Sequence, residues 1–184
     1  MAEGIASVRH RDLTRAQLTS LRDLFDREYR SSHGEWDPDR PYGYSPADVH
    51  VIATDAGRVI GHVGFQTRWI RIGRGNILIA GVGGVLVHPE HRSCGLGRQL
   101  MWACHESMLG GTDARFGYLG CREEVVPFYE SVGWSRVEVV ERCISREDQT
   151  TVEISANTPI LIRPVHAKLG DWPEGDVDLR GTPW

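Results

Sequence analysis

The sequence contains no apolar run approaching the roughly 20 residues that a membrane-spanning helix requires. Its first residues, MAEGIASVRHRD, lack the long apolar stretch of a secretory signal. A protein that neither crosses nor binds a membrane, working in the cytoplasm, is the expectation. Cysteine is sparse: Cys94, Cys104, Cys121 and Cys143 form no CxxC pair, and their spacing fits neither a zinc site nor a disulfide framework. Reduced thiols and no bound metal are expected. A basic excess is also missing. With 21 Lys and Arg against 25 Asp and Glu, the net charge is −4. This counts against nucleic acid, which needs a concentrated basic surface, and leaves a cationic or neutral partner. No internal repeat and no low-complexity segment interrupts the chain.

What is present is ordinary globular composition, 40% hydrophobic and 25% charged, over 184 residues. That length fits one domain, residues 1–184, with one sizeable core. Thr14 and Gln17 form a T-x-x-Q capping arrangement, and Leu18, Leu21, Leu24 and Phe25 follow at helical spacing. Residues 31–46 read as a loop. Residues 50–54, 59–72 and 77–87 read as strands, with turn signals at 55–57 and 73–76. A helix over 97–109, a short strand over 115–119, and a short helix over 125–132 ended by Gly133 come next. Residues 137–144 and 159–165 read as the last strands. The segment 170–184 is polar and rich in Pro, Gly and Asp. The order implies an α+β fold, a mostly antiparallel sheet with helices on its faces.

The most informative segment is residues 85–100. The apolar Val85-Leu86-Val87 leads through a glycine-punctuated loop, Arg92-Ser93-Cys94-Gly95-Leu96-Gly97, into a helix beginning near Arg98. A helix start after such a loop presents unpaired N–H groups and the positive end of the helix dipole, a ready site for pyrophosphate. Gly95 and Gly97 allow close approach of the backbone, and Arg92 and Arg98 add charge. The G-K-[ST] ending of a Walker loop is missing, and so is the G-x-G-x-x-G register of a Rossmann fingerprint.

The R-x-x-G-x-G spacing resembles the acetyl-CoA signature of the GNAT superfamily of N-acetyltransferases. The resemblance implies a GNAT fold, with the sheet splayed at the coenzyme strand, and acetyl-CoA as co-substrate. It also implies that Val85, Leu86 and Val87 pair with the pantetheine arm, and that a bulge aims an N–H at the thioester oxygen. The doublet Gly83-Gly84 supplies the freedom for that bulge. Phe128-Tyr129-Glu130-Ser131-Val132-Gly133-Trp134 resembles the second GNAT signature and makes Tyr129 the expected general acid. Thiol and phenol pKa values lie only about 1.5 apart, so a proton can pass from tyrosine to the leaving thiolate. No general base stands out; Glu123, Glu124, Glu153, His62, His88 and a water chain all remain open.

Over nearly its full length the chain is similar to the aminoglycoside 2′-N-acetyltransferases. Asp171-Trp172-Pro173-Glu174-Gly175-Asp176 resembles the segment with which those enzymes close the substrate pocket. The resemblance implies acceptor contacts from Glu35, Trp36, Glu123, Trp172, Asp176, Asp178 and Trp184, an amino-sugar substrate, and a homodimer. A base-relay glutamate of that branch is replaced here by Gly83, and a serine contact by Gly120. The poorer supply of acids fits a less cationic aminoglycoside such as kasugamycin. The same segment also resembles the rhizobial nodulation acyltransferases, which share a W-P-x-G ending and use fatty acyl donors. Acylation of a protein amine or a glucosamine oligomer, and a non-catalytic acyl-CoA sensor, are the alternative functions.

Overall fold

A computed structural model describes residues 4–184. The first helix, α1 (Arg15–His33), starts where the capping arrangement places it. Gln17 N–H donates to Thr14 Oγ1 at 3.2 Å, and Thr14 N–H donates to Gln17 Oε1 at 2.9 Å. This reciprocal closure of the first turn contributes about 1 kcal/mol. The helix runs further than the loop composition of residues 31–33 implies. Leu21, Leu24 and Phe25 bury its apolar face.

The strands are β1 (Gly4–Arg9), β2 (Val49–Asp55), β3 (Arg58–Ile72), β4 (Gly75–Val87), β5 (Phe116–Gly120), β6 (Ser135–Val137), β7 (Glu141–Ile144), β8 (Val152–Ser155), β9 (Ile160–Pro164) and β10 (Val177–Asp178). All ten belong to one mixed sheet. β1, β8 and β10 are not evident from the sequence pattern. The run 137–144, read as one strand, is two: β6 pairs with β9, whereas β7 pairs with β8 and β10. The other helices are α2 (Leu96–Gly111) and α3 (Val126–Glu130).

The long hairpin β3–β4 forms the spine. It pairs from Ile72↔Gly75 at the turn to Gly61↔Val87 at the far end. Around it lie three buried clusters. α2 and α3 cover one face, with Leu100, Met101, Cys104 and Met108 packed against Val63, Phe65, Ala80 and Val82. α1 covers part of the other face through Leu21, Leu24 and Phe25 against Ile52, Val59 and Leu86. The remaining area is closed by Ile70, Ile79, Tyr118, Ile162 and Val177. Burial of side chains this size, about 1.5–3 kcal/mol each, dominates the stability of the fold.

The segment 171–184 is in part a sheet strand, and its Leu179, Pro183 and Trp184 line a cavity described below. Val177–Asp178 is hydrogen-bonded between β3 and β7 as a sheet strand. The pleat turns Val177 inward, 1% exposed, and leaves Asp178 on the outer side. The strand part of this segment is therefore structural.

Candidate active site

β4 and β5 pair in parallel only over Ile79–Gly81, opposite Phe116–Tyr118. Beyond Gly81 the ladder between them ends, which opens the edge of β4 from Val82 to Val87. On its other side β4 continues along β3, with an irregularity. Gly64 pairs with Gly83 and His62 with Leu86, so β4 carries one residue more than β3 between these pairs. This is a β-bulge at Gly84–Val85. Gly84 has φ +60°, and a Cβ there would sit 3.1 Å from the His62 ring and 3.2 Å from Phe25. The left-handed backbone and the lack of space both require glycine. Leu86 is buried beneath α1, whereas Val85 and Val87 pack on the α2 side.

The strand runs into the loop and the start of α2. Ser93 and Gly95 both take positive φ, +62° and +83°, and Gly95 caps α2 without any side-chain hydrogen bond. The amides of the first helical turn thus meet no protein cap, as an anion site requires. Gly97 lies 3.4 Å, measured from a constructed Cβ, from Phe128. Leu96 is buried in the core, and Cys94 Sγ donates to the His91 carbonyl at 2.9 Å. The two arginines differ from expectation. Arg92 donates through Nε to the Val87 carbonyl at 2.9 Å and pairs with Glu28 at 2.8 Å. Arg98 donates to the Ser131 carbonyl at 3.0 Å. Both guanidiniums brace the loop against neighbouring elements, because these acceptors lie within reach, and the backbone amides at the start of α2 are left without a protein cap.

Tyr129, on α3, is buried between the rings of Phe128 and Trp134. Burial raises its pKa well above that of a free phenol, and Cys121 and Tyr29 add to the effect. The hydroxyl therefore stays protonated at neutral pH, the form that donates a proton, while being a weaker acid than free tyrosine.

Two cavities of opposite chemistry share Tyr44 and Trp184 as walls, and the first of them reaches the bulge. The first, about 250 Å³, is walled by Phe25, Tyr29, Trp36, Tyr42 and Phe65 and reaches Gly83, Gly84 and Val85. Trp36 is a wall of this cavity, stacked on Phe25 with ring centroids 5.0 Å apart. The second, about 620 Å³, is lined by Glu123, Glu124, Glu141, Glu147 and Glu153, against Arg122 and Arg146. Trp184 borders both cavities. Its indole lies so close over β4 that a Cβ on Gly81 would come within 2.1 Å of it, and one on Gly83 within 2.7 Å of its carbonyl carbon. Arg68 lies 4.1 Å above the indole, and Trp184 Nε1 donates to Gln66 Oε1 at 3.3 Å.

In the acidic cavity, Glu141 is the notable residue. It is 8% exposed and accepts a hydrogen bond from the Tyr118 hydroxyl. Burial raises its pKa, and the Tyr118 bond partly offsets the rise. Sequence reasoning missed this pair, since both residues sit in short strands. A glutamate directly after the apolar pair Val139-Val140, inside the run 137–144, was the available signal. Glu123, which was anticipated, lines this cavity but is tied to Arg136 at 2.6 Å.

Other anticipated acceptor contacts lie elsewhere. Glu35 is exposed, paired with Arg30, and lines neither cavity. Asp176 is exposed on the approach to β10, and Asp178 faces Arg71 and Arg142 at 3.5 and 3.1 Å on the outer side of the sheet. Trp172 packs under the sheet against Phe116 and Tyr118. For Asp176 and Asp178 the cause is common: the docking of Val177 into the sheet decides which way its neighbours face. Among the described residues, no group of three or more His, Cys, Asp or Glu is placed to hold a metal ion, and no helix is long and apolar enough to cross a membrane.

The architecture has close counterparts among solved structures. The chain is similar to the GNAT family N-acetyltransferase YhbS from Escherichia coli in complex with CoA, at 16% identity and a TM-score of 0.65, covering 97% of this chain and 90% of that one. It is similar to Escherichia coli ElaA at 18% identity and a TM-score of 0.60, covering 87% and 99%. A GNAT family acetyltransferase from Brucella melitensis in complex with acetyl-CoA matches at 17% identity and a TM-score of 0.54, covering 95% and 94%. At such identities the likeness establishes the fold, which is that of the GNAT superfamily. The family model for Nodulation protein A (NodA) matches residues 6–183, almost the entire chain, and the protein therefore belongs to the NodA family of acyltransferases.

Proposed function

We propose that the protein transfers an acyl group longer than acetyl from a phosphopantetheine thioester, such as an acyl-CoA, to the primary amine of an amino sugar. The observation that carries this reading is an aromatic cavity that reaches the Gly83–Gly84 bulge and an acidic cavity that shares Trp184 with it as a wall. The aromatic cavity, several times the roughly 30 Å³ a water occupies in the liquid, exceeds what an acetyl group needs and suits an alkyl chain. The acidic cavity suits a cationic amine.

In this reading the open edge of β4 takes the pantetheine arm, and the first turn of α2 takes its phosphate groups. Glu141, ionised and hydrogen-bonded to Tyr118, receives the proton that the ammonium must lose before attack. The amine nitrogen then bonds to the thioester carbon, the C–S bond breaks, Tyr129 gives its proton to the departing sulfur, and the second proton shed by the nitrogen as the amide forms passes through solvent to restore the Tyr129 hydroxyl. The Val85 N–H at the bulge stabilises the developing oxyanion.

The test is thiol release by the purified protein with acetyl-CoA and with dodecanoyl- or hexadecanoyl-CoA, against a glucosamine oligomer bearing one free amine and against gentamicin and kasugamycin. The long donors with the glucosamine oligomer should give the highest kcat/KM. The five carboxylates of the second cavity favour one other reading, acetylation of an aminoglycoside. Fastest turnover with acetyl-CoA and an aminoglycoside would establish that reading and overturn the first.

A further inference from the structure

Three histidines from separate elements form an unbroken hydrogen-bonded line from the surface to the bulge. His10 lies in the turn after β1, His50 on β2 and His62 on β3. Asp39 Oδ1 is 3.1 Å from His10 Nε2, His10 Nδ1 is 3.0 Å from His50 Nε2, and His50 Nδ1 is 2.9 Å from His62 Nε2. The line ends with His62 Nδ1 at 2.7 Å from the Gly84 carbonyl. His50 and His62 are 2% and 3% exposed. Their strands bring them together: His50 pairs with Gly64 and Ile52 with His62, so the two rings are diagonal neighbours on one face.

The ends of the line decide its protons. A carbonyl only accepts, so His62 must donate from Nδ1, which leaves Nε2 as an acceptor. His50 must then donate from Nδ1 and accept at Nε2, and His10 must donate from Nδ1. Asp39, ionised, also only accepts, so every bond is made when His10 carries both ring protons. The two inner histidines are neutral: burial lowers His50 to about 3 and His62 to about 4. Because the inner end is a carbonyl, no proton can be delivered there. The line does not conduct; it orients.

We propose that the Asp39–His10–His50–His62 line is a positioning device that sets the Gly84–Val85 peptide of the coenzyme strand. A peptide is a rigid plane in which the carbonyl and the next N–H point in opposite directions. Holding Gly84 O on His62 therefore sets the direction of the Val85 N–H, the donor assigned above to the thioester oxygen. The proposal rests on that acyltransferase reading. His62 also forms part of the wall of the aromatic cavity, so the oriented peptide lies where the acyl carbonyl would be seated.

Removing an oxyanion donor outright costs about 10²–10³ in kcat, and misdirecting one costs less. His62→Leu should lower kcat roughly 10- to 100-fold with the KM for the donor changed by less than about threefold. His62→Asn, whose Nδ2 replaces Nδ1 as donor to Gly84, should recover most of that loss. His10→Leu, at the far end, leaves the tautomers set by the Gly84 carbonyl but removes the bond that holds the His50 ring, and through it the His62 ring, in place, and should lower kcat in the same direction by a smaller factor. A residue that only fills space would transmit nothing from His10. A kcat for His62→Leu within twofold of wild type, no recovery in His62→Asn, or a KM rise that accounts for the loss would each overturn the proposal. ¹⁵N NMR of the imidazoles in the wild-type protein tests the line without a variant. His62 and His50 protonated at Nδ1 is the expected result; protonation at Nε2 refutes the orienting role even where acyl transfer itself is measured. Absence of acyl transfer in the wild type would instead remove the reading on which the proposal rests.

Discussion

Gly81→Ala probes the partition between the two cavities. A Cβ at this position would stand 2.1, 2.2 and 2.4 Å from three atoms of the Trp184 indole, which is far inside van der Waals contact. Both residues cannot keep their places. If β4 yields, overpacking strain of about 1–3 kcal/mol appears. If Trp184 yields, the Arg68 stacking contact at 4.1 Å and the bond to Gln66 at 3.3 Å are lost, together worth about 1–3 kcal/mol. For a chain of this size either route lowers Tm by roughly 2–12 °C. The β4 core is held along its whole length by β3, whereas the indole is held by the Arg68 stack, the Gln66 bond and an edge contact with Tyr118, so Trp184 is the group expected to move. The wall between the cavities then opens. The expected signature is a modest loss of Tm with a large change in selectivity: kcat/KM for a long-chain donor and for the amine acceptor should fall about tenfold or more, relative to that for acetyl-CoA. Differential scanning calorimetry and a thiol-release assay across donors of graded chain length measure both. An unchanged chain-length profile, with Tm also unchanged, would refute the argument that this indole separates the acyl and amine sites.

Tyr129→Phe should lower kcat by about 10²–10³ and leave the KM for the thioester nearly unchanged, since only the proton to sulfur is removed; equal turnover in the variant would exclude Tyr129 as the acid. Glu141 must be ionised to accept a proton, and burial raises its pKa, so activity should fall as pH drops through that raised value. Glu141→Gln should abolish this acid limb and slow turnover about 10²–10⁴-fold; a limb that persists in the variant belongs to another group. His50 and His62 bind protons more weakly in the folded than in the unfolded state, so the unfolded chain gains protons first as the solution is acidified. Stability should therefore decline from about pH 6.5 down towards pH 4, by up to about 3 kcal/mol for each fully buried ring. Urea unfolding across that range, with His50→Gln losing part of the slope, checks the sign.

Local signals carried much of the fold and the donor site. The Thr14–Gln17 box marks the start of α1, the strand–loop–helix over 85–100 marks the proposed anion site, and the doublet Gly83-Gly84 marks the bulge that the β3–β4 register contains. These were legible because each depends on backbone geometry within a few residues. The acceptor side was far less so. Glu35, Asp176 and Asp178 have suitable chemistry and face solvent or arginines, whereas Glu141, Tyr118 and His50 stood in runs that read only as strands, and nothing local tied His10 to His62. Side-chain direction in a short strand depends on which partner it pairs with. β7 and β10 pair with each other in parallel across more than thirty residues of sequence, and no local pattern encodes that choice.

The sequence alone determined the geometry of the proposed donor site: a glycine-shaped strand and loop with unpaired amides, because conformational freedom and unpaired N–H groups belong to short stretches of chain. Tertiary structure decided the rest. It placed Trp184 on Gly81 and Gly83, turned Glu141 inward beside Tyr118, and aligned His10, His50 and His62 from separate elements behind the bulge. Each of these arrangements depends on contacts between residues far apart in the chain, and such contacts exist only once the sheet has closed.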